Sequence, residues 1–473
     1  MLVLRTDHHG KGSARLICEA QIMNTSSLSD QRVVVVGLAR TGLALAEFLL
    51  NQGAKVIGTD IMSAGALDKQ VQELAERGVV LELGGHRDET FLEADLIVVS
   101  PGVPADIEPL KKAAARGVPI TGELEFAARF VTVPLIAVTG TNGKSTTTSL
   151  IGEILRAAGR KVFVGGNIGN PLINFAKSRE KIELAVVEVS SFQLEGAISF
   201  HPQIAIHLNL TPDHLDRHKG FKAYAEAKAR IFACQEPEDT AILNADDNHV
   251  AGIKTRAGRL LFSRKKRVED GAYIEGDEIV LVQNNRLIDA VSTRKFYLTG
   301  GHNQENIMAA LLATRALGIR NEIAFKTVAA FKGLPHRIEF IGRYNGVRYY
   351  NDSKATNVGA VIKSLDAFSE PVLLIAGGRD KDSDFTLLRP AVSQKVKLLI
   401  LMGEAREKMA KALAGTAETV LVKDMAEAVA VARKEARPGQ VVLLAPACAS
   451  FDMFRDYTHR GRVFTELVQG GGA

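Results

Sequence analysis

The sequence contains few of the residues that form disulfides, cysteine metal sites or membrane spans. Its 473 residues include no tryptophan and three cysteines, and aromatic residues make up 6% of the chain. Cys18, Cys234 and Cys448 are too widely spaced for a disulfide framework or a CxxC metal site, which favours a reducing cytoplasm. No apolar run approaches the roughly 18 to 20 residues of a membrane-spanning helix. We therefore expect neither a disulfide scaffold nor a membrane span.

Positively charged residues outnumber negatively charged residues only slightly. The formal net charge is +5, from 59 Lys and Arg against 54 Asp and Glu, and the hydrophobic fraction is 46%. These values are typical of globular proteins, and the length favours two to four domains. A weak basic surplus along the whole chain suits anionic small substrates, but it does not indicate nucleic-acid binding. We expect no nucleic-acid partner.

Alternating strand and helix patterns predict an α/β protein with mostly parallel sheets. They divide the chain into a tail and three units, at 1–30, 31–122, 123–333 and 334–473. The tail lacks the apolar segment of a secretory signal. Either Met1 or Met23 could be the initiating methionine. The β-branched run at 32–36 predicts a strand buried on both faces. The stretch 256–296 predicts a small antiparallel insert or the edge of a lobe, because it is rich in charge, glycine and short β patterns.

The strongest motif is the glycine-rich loop Thr139–Thr146, with the sequence TGTNGKST. It follows a buried-type strand and precedes a helix pattern, which is the context of a phosphate-binding loop. Lys144 would direct its charge toward the terminal phosphates, and Ser145 would offer a hydroxyl to Mg²⁺. The loop departs from the usual GxxxxGK[ST] spacing, because Val138 stands where the first glycine is expected. The predicted phosphate-binding residues are Gly140, Thr141, Asn142, Gly143, Lys144, Ser145 and Thr146.

A second glycine loop, GLARTG, follows the first predicted strand at Gly37–Gly42. Together with Asp60 at the end of the next strand, it is similar to a dinucleotide-binding loop, although Ala39 replaces the middle glycine. The spacing favours a ribose near Asp60 no more strongly than it favours a purely structural turn. Ser100 and Gly102, at a neighbouring strand end, would add hydroxyl and backbone donors.

Metal-competent side chains follow two predicted strands of the second unit. Glu188 ends one strand, and His214 comes shortly after the other. If both strands lie beside the strand that precedes Lys144, these side chains point at the same phosphates. Mg²⁺ prefers oxygen ligands shared with phosphate, so Glu188 suits it better than His214 does. A zinc site is excluded, because the nearby histidines have no tetrahedral spacing and no cysteine joins them.

Polar clusters also mark a predicted helix start and the third unit. Asn303 and Asn306 share one helix face, where their amides would read a purine edge or, equally, cap the helix. The loop Asn351–Asn357 follows a predicted strand and is unusually rich in small polar residues. Arg337 and Lys381 would hold carboxylates or phosphates, unless they form a solvated basic face.

Together these motifs resemble the Mur ligase family, the ATP-dependent amide-forming enzymes of peptidoglycan synthesis. The resemblance covers all three units in the family's order, and the family has the same short form of the phosphate loop. The tracts EVSSFQLE at 188–195, NDSKATN at 351–357 and PACASFDMF at 446–454 resemble the D-glutamate-adding branch. The resemblance implies a Rossmann-like N-terminal domain, a central P-loop ATPase-type domain with a parallel sheet, and a C-terminal Rossmann-like domain that binds the amino acid.

The resemblance also implies roles for individual residues. Two Mg²⁺ ions would be held by Ser145, Glu188, His214 and a carbamate formed on Lys228. Without the resemblance, the helical pattern around Lys228 predicts only a cation on the helix surface. The catalytic residues would be Lys144, Glu188, His214 and Lys228. Further contacts with ATP would come from Asn306, Arg337 and Asp352. The UDP-linked muramoyl substrate would contact Arg40, Thr41, Asp60, Ser100, Gly102 and Asn167. D-glutamate would contact Lys381, Ser450 and Tyr457, the last of which is phenylalanine in some members.

The reaction implied is addition of D-glutamate to UDP-N-acetylmuramoyl-L-alanine through an acyl phosphate, by a monomer in the cytoplasm. Three alternatives remain. The first is a folylpolyglutamate synthase-like ligase, which would not explain the presence of the nucleotide-type loop Gly37–Gly42. A nicotinamide-dependent oxidoreductase leaves Lys144 and Glu188 unused, and a non-catalytic nucleotide sensor needs no amino-acid pocket. No residue pattern identifies the base that deprotonates the amine.

Overall fold

The computed structural model describes most of the chain, at residues 28–67, 70–178, 180–214, 217–298, 300–380 and 382–470. The choice between Met1 and Met23 and the predicted role of Lys381 therefore lie outside the described residues. Three β-sheets with flanking helices follow one another along the chain, which confirms the α/β fold class. In the described ranges, no helix combines the length and apolarity needed to cross a bilayer.

The first unit is a five-stranded parallel sheet between helices. Its strands are β1 (Arg32–Val36), β2 (Lys55–Asp60), β3 (Val80–Leu83), β4 (Leu96–Val99) and β5 (Ile120–Gly122). Its helices are α1 (Arg40–Asn51), α2 (Gln70–Glu76), α3 (Asp88–Leu92) and α4 (Glu108–Ala115), and a further helix, α5 (Glu123–Ala128), connects it to the second unit. The order β3-β2-β1-β4-β5 reverses between β1 and β4, and ligands of such sheets bind at that reversal, beyond the carboxyl ends of the strands. The predicted burial of β1 is confirmed, because all four of its valines are fully buried.

The second unit contains nine strands. They are β6 (Leu135–Thr139), β7 (Val162–Gly166), β8 (Leu184–Glu188), β9 (Ile204–His207), β10 (Thr240–Asn244), β11 (Gly258–Ser263), β12 (Gly271–Glu275), β13 (Glu278–Gln283) and β14 (Arg286–Ser292). Their order is β14-β13-β12-β11-β10-β9-β6-β8-β7. The stretch 256–296 forms one edge of this sheet, as the lobe-edge alternative predicts, and is not a separate insert: β11 and β12 extend the parallel part, and β13 runs antiparallel to both of its neighbours, β12 and β14. The central sheet is therefore mixed, not parallel throughout.

The helices of the second unit pack on both faces of this sheet. They are α6 (Lys144–Ala157), α7 (Ser191–Glu195), α8 (Phe221–Ala229), α9 (Asn248–Ala251), α10 (Gly301–Ala316) and α11 (Asn321–Ala330). On one face, α6 and α10 share a buried core with the strands. The fully buried Ala309, Ala310 and Ala313 leave room for a close approach of α10, which sets the start of that helix beside the start of α6.

The third unit is a six-stranded sheet with a core on each face. Its strands are β15 (Glu339–Tyr344), β16 (Val347–Asn351), β17 (Val372–Gly377), β18 (Val396–Met402), β19 (Glu418–Leu421) and β20 (Val441–Leu444). Its helices are α12 (Val358–Asp366), α13 (Arg389–Lys395), α14 (Arg406–Ala412), α15 (Met425–Glu435) and α16 (Tyr457–Gly470). The order is β15-β16-β20-β17-β18-β19, and only β15 is antiparallel to its neighbour. The carboxyl ends of β16, β20 and β17 therefore lie side by side.

Candidate active site

The strand order of the central sheet brings three functional segments to one edge. Strand β6 lies between β8 and β9 and is parallel to both. The expectation that the strands before Glu188 and His214 flank the strand before Lys144 is therefore confirmed. Because the carboxyl ends of parallel strands meet at one edge, the loops after all three strands converge there.

The loop after β6 has the backbone of a phosphate-binding turn. Gly140 and Gly143 have φ angles of 149° and 87°, in the region that favours glycine, and α6 begins at Lys144. A Cβ atom on Gly143 would lie 2.1 Å from Oδ1 of Asn306, so any side chain at this position would displace Asn306. Lys144 Nζ donates to the carbonyls of Gly140 and Thr141, each at 2.9 Å. Burial lowers the pKa of Lys144, and the carboxylates of Glu188 and Asp213 oppose that shift.

Glu188 lies at the centre of a buried polar network. Ser145 Oγ donates to one oxygen of its carboxylate, and Asn167 Nδ2 donates to the other at 2.6 Å. Arg337, from the third unit, donates to Ser145 Oγ. Burial raises the pKa of Glu188, but the charges of Lys144 and Arg337 and the two hydrogen bonds outweigh burial and hold the pKa below its ordinary value. The carboxylate is therefore ionised beside the phosphate loop.

The chemistry of this network fits Mg²⁺. An ionised carboxylate and a serine hydroxyl at a phosphate loop are the oxygen ligands that Mg²⁺ shares with substrate phosphates. His214 follows β9 with a φ of 55°, and its ring lies 5.0 Å from the ring of Phe192. Within the described ranges, no three His, Cys, Asp or Glu side chains are grouped closely enough to hold a metal ion. Binding of two ions by Ser145, Glu188, His214 and Lys228 remains a prediction.

Lys228 is not the surface cation that its helical pattern suggests. Its exposed fraction is 2%, and its Nζ donates to the carbonyl of Gly140 at 2.9 Å. The same atom lies 4.9 Å from the centre of the Tyr224 ring. Burial, assisted by the charge of Lys144, lowers the pKa of Lys228 well below its ordinary value. Helix α8 thus places an amine that readily loses its proton directly under the phosphate loop.

A cavity at the junction of the second and third units is lined by some of the predicted nucleotide residues, but not by Gly140, Thr141, Lys144 or Ser145. Those that line it are Asn142, Gly143, Thr146, Asn306, Arg337 and Asp352. Asn306 Nδ2 donates to Oδ1 of Asn303 at 3.3 Å, so the two amides share one helix face, as predicted. Burial raises the pKa of Asp352 to about 6. The sequence analysis missed His302 and Lys363, which also line the cavity. His302 adjoins the Asn303–Asn306 pair in sequence, whereas no local pattern points to Lys363.

The glycine loop of the first unit is held by the side chains predicted to bind substrate. Asp60 accepts hydrogen bonds from the backbone amides of Leu38 and Met62, at 2.8 and 2.9 Å. Ser100 Oγ donates to the carbonyl of Gly37 at 2.8 Å. These contacts favour the structural interpretation of Asp60. Arg40 and Thr41 stand at the start of α1, beside this loop.

The strand-end loops of the third unit are joined to one another. Backbone hydrogen bonds connect Gly377 to Pro446 at 2.8 Å, and Arg379 to Ala449 at 2.9 and 3.0 Å. Ser450, in the same loop, is buried. Tyr457 begins α16, and Nζ of Lys354 lies 4.0 Å from its ring centre. The loops that contain Asp352 and Ser450 therefore form one surface.

Comparisons with known protein families give a match to the same family in each of the three units. Residues 31–122 match the family described as "Mur ligase MurD-like, N-terminal domain". Residues 138–314 match "Mur ligase middle domain", and residues 336–448 match "Mur ligase, glutamate ligase domain". Two solved structures share the fold: a pseudomurein peptide ligase type C from Methanothermus fervidus and the UDP-N-acetylmuramate-alanine ligase of Thermotoga maritima. Each has a TM-score of 0.61 and 19% identity and covers 93% of this chain, with 100% and 99% of the respective structure matched.

Sequence relatives are similar over nearly their full length. A protein of Geotalea uraniireducens, named UDP-N-acetylmuramoylalanine--D-glutamate ligase, is 48% identical over 444 residues, which are 93% of this chain and 98% of the relative. A protein of the same name from Citrifermentans bemidjiense is 46% identical and covers 94% of this chain and 98% of the relative. From these matches and the arrangement of its phosphate loop, the chain belongs to the Mur ligase family.

Proposed function

We propose that this chain is an ATP-dependent ligase that joins D-glutamate to UDP-N-acetylmuramoyl-L-alanine in peptidoglycan precursor synthesis. The observation that carries the proposal is the near-complete match, at 46–48% identity, to relatives named for that reaction. The phosphate loop beside an ionised, buried Glu188 supports the ATP-dependent step. In this proposal the unit at 31–122 binds the UDP-linked substrate, the unit at 123–333 binds ATP, and the unit at 334–473 binds D-glutamate.

The first step activates a carboxylate that would otherwise repel a nucleophile. An oxygen of the L-alanyl carboxylate attacks the γ-phosphorus of ATP, the bond to the β-phosphate oxygen breaks, and ADP leaves. Lys144 and the amides of the phosphate loop stabilise negative charge on the transferred group. The Lys144 ammonium turns from the carbonyls of Gly140 and Thr141 toward the phosphates, because a phosphate is the stronger acceptor.

Mg²⁺, when bound, neutralises phosphate charge and helps to orient the γ-phosphoryl group. Ser145, Glu188, His214 and a carbamate on Lys228 would hold two such ions. Burial of Lys228 supports this proposal, since a neutral amine can add to CO₂ whereas an ammonium cannot. The carbamate would replace a cation with an anionic oxygen ligand. Asn167 orients the Glu188 carboxylate through its 2.6 Å hydrogen bond.

In the second step, the amine of D-glutamate attacks the acyl carbon, and phosphate leaves from a tetrahedral intermediate. Lys381, Ser450 and Tyr457 would hold D-glutamate on the surface formed by the third unit's loops. Closure of that unit over the phosphate loop would exclude water that hydrolyses the acyl phosphate. We propose that the protein acts as a monomer in the cytoplasm, where ATP is supplied.

The proposal is tested by phosphate release in the presence of ATP, UDP-N-acetylmuramoyl-L-alanine and single amino acids. We expect release that requires both the UDP-linked substrate and D-glutamate. Lys144→Ala should abolish release with an unchanged circular dichroism spectrum, whereas exposed Lys222→Ala should not. Release with folate and L-glutamate, reduction of a nicotinamide, or no turnover would each replace the proposal with one of the alternatives.

A further inference from the structure

Arg460 is a fully buried arginine near the start of α16 that the proposed mechanism does not use. Its exposed fraction is 0%, so no ligand can touch it. Burial lowers its pKa to about 10, which leaves the guanidinium charged at neutral pH. A buried charge is costly unless its donors are satisfied, so the contacts of Arg460 indicate why the residue is there.

The guanidinium is hydrogen-bonded to two separate loops. Nε donates to Ser353 Oγ at 3.0 Å, and Nη2 donates to the Ser353 carbonyl at 2.8 Å. Nη1 donates to the carbonyls of Cys448 and Ala449, each at 3.2 Å. Ser353 belongs to the nucleotide loop (residues 351–357), and the two carbonyls belong to the amino-acid loop (residues 446–450). One planar group therefore connects both loops.

A third strand end adjoins the same group. A Cβ atom on Gly378 would lie 3.2 Å from Nη1 of Arg460 and 2.3 Å from the carbonyl of Ala449. The backbone after β17 therefore lies beside the guanidinium and approaches the carbonyl of Ala449, one of its acceptors, too closely for a side chain at that position. The two loops are also joined directly, by the Ala447 amide and the Ala355 carbonyl at 2.9 Å. Ala447 has a φ of 60°, so its loop has an unfavourable backbone conformation that neighbouring contacts must maintain.

We infer that Arg460 is a positioning residue that holds the nucleotide loop and the amino-acid loop in one binding arrangement. The inference rests on the proposed function for the identity of the two ligands. A guanidinium suits this role because its donors point in fixed, opposed directions, whereas a lysine ammonium cannot reach acceptors on both sides in one plane. Loss of Arg460 weakens the sites for ATP and D-glutamate together and leaves the UDP-linked substrate site, in the first unit, unaffected.

The test compares Arg460→Met and Arg460→Lys with a matched control, Arg462→Met. Arg462 lies on the same helix but is exposed and pairs only loosely with Glu466, at 3.7 Å. Hydrogen exchange followed by mass spectrometry reports on the amides of the two loops. We expect exchange to accelerate about tenfold or more in both loops of Arg460→Met, to an intermediate extent in Arg460→Lys, and not in Arg462→Met. Acceleration in one loop only, or in neither, would overturn the inference.

Steady-state kinetics supplies the second readout. In Arg460→Met we expect the KM values for ATP and D-glutamate to rise about fivefold or more, with the KM for the UDP-linked substrate within twofold of wild type. A lower kcat with all three KM values unchanged would contradict positioning. If Arg460→Met does not fold, Arg460→Lys carries both measurements. Hydrogen exchange needs no turnover, so an inactive wild-type protein would refute the proposed function without deciding the role of Arg460.

Discussion

At the scale of single residues, Lys228 is where the local pattern and the structure differ most. A lysine on a helix with the pattern KAYAEAKAR is expected in solvent, because a single sequence does not show which face of the helix is covered. Packing of α8 under the phosphate loop buries it and lowers its pKa. The carbamate was predicted from the family resemblance alone, and burial gives it a physical basis.

Replacement of Lys228 tests that carbamate. We expect Lys228→Ala to lose about 100-fold or more in kcat, because an anionic oxygen ligand is removed from the site of charge transfer. Formate or acetate should restore part of the activity by supplying a carboxylate in the space left by the side chain. In wild-type protein, ¹³C-labelled bicarbonate should give a carbamate carbon resonance that is missing from the variant. Lys222→Ala, at the exposed start of the same helix, is the control and should retain both activity and resonance.

If Lys228→Ala keeps wild-type activity and formate has no effect, Lys228 is not a metal ligand. If the labelled resonance is present in both proteins, the carbamate lies elsewhere. The resonance does not depend on the substrates, so it tests the modification separately from the reaction.

Asp352 provides a prediction about pH. Its folded pKa of about 6 lies above the ordinary 3.8, because burial opposes the charged form. The native state therefore binds a proton more tightly than the unfolded state, and this residue makes the fold less stable as pH rises from about 4 to about 6. Asp352→Asn removes that dependence. We expect the free energy of unfolding of the variant, relative to wild type, to increase by up to about 3 kcal/mol between pH 4 and pH 7.

Urea unfolding at a series of pH values measures this difference. Asp366→Asn, an exposed change at the end of α12, should follow the wild-type curve. A constant difference between Asp352→Asn and wild type across the range would show that Asp352 does not titrate as its burial requires.

At the scale of elements, the strands that end at functional residues could be predicted well. Runs such as 32–36 and 184–187 are short, apolar and β-branched, and burial on both faces follows from composition. For the segment 256–296 the sequence left an insert and a lobe edge open, because its hairpin between β12 and β13 is a local signal whereas the parallel pairing of β11 with β10 is not. Strand pairing between distant segments depends on tertiary packing, which local sequence patterns do not report.

Gly143, just before α6, allows a prediction about the phosphate loop. Both Gly143 and Gly159, which follows the other end of α6, have a positive φ, of 87° and 79°. An added Cβ meets Asn306 Oδ1 at 2.1 Å in the first case and nothing within 4 Å in the second. We expect Gly143→Ala and Gly159→Ala each to lose about 1 kcal/mol of stability from backbone strain. Only Gly143→Ala should also raise the KM for ATP, by about tenfold or more, because it displaces a side chain that lines the nucleotide cavity.

Thermal unfolding and phosphate-release kinetics separate the two effects. Equal ATP KM values in the two variants would mean that the contact of Gly143 with Asn306 does not shape the nucleotide site.

At the scale of the whole molecule, the three units are connected through side-chain hydrogen bonds that no local motif predicts. Arg337 links the third unit to Ser145, and Asn357 Nδ2 donates to Asp213 of the second unit at 2.9 Å. Arg217 Nη1 and Nη2 donate to the carbonyls of Gly102 and Val103 in the first unit, each at 2.8 Å. The family resemblance predicted which residues face which substrate, but contacts between units depend on how the three sheets are oriented.

Arg217 connects the loop proposed to hold the UDP-linked substrate to the segment that follows His214. Its guanidinium also lies 4.9 Å from the Phe192 ring, which in turn contacts His214. We expect Arg217→Ala to raise the KM for UDP-N-acetylmuramoyl-L-alanine about tenfold, because two hydrogen bonds that fix the Gly102 loop are lost at about 0.7 kcal/mol each. The KM for ATP should stay within twofold, since the nucleotide cavity lies at the opposite junction. Arg230→Ala is the matched control, because the Arg230 guanidinium donates to the carbonyl of Glu195, within the second unit. An equal rise in that control would exclude a specific link between the first two units.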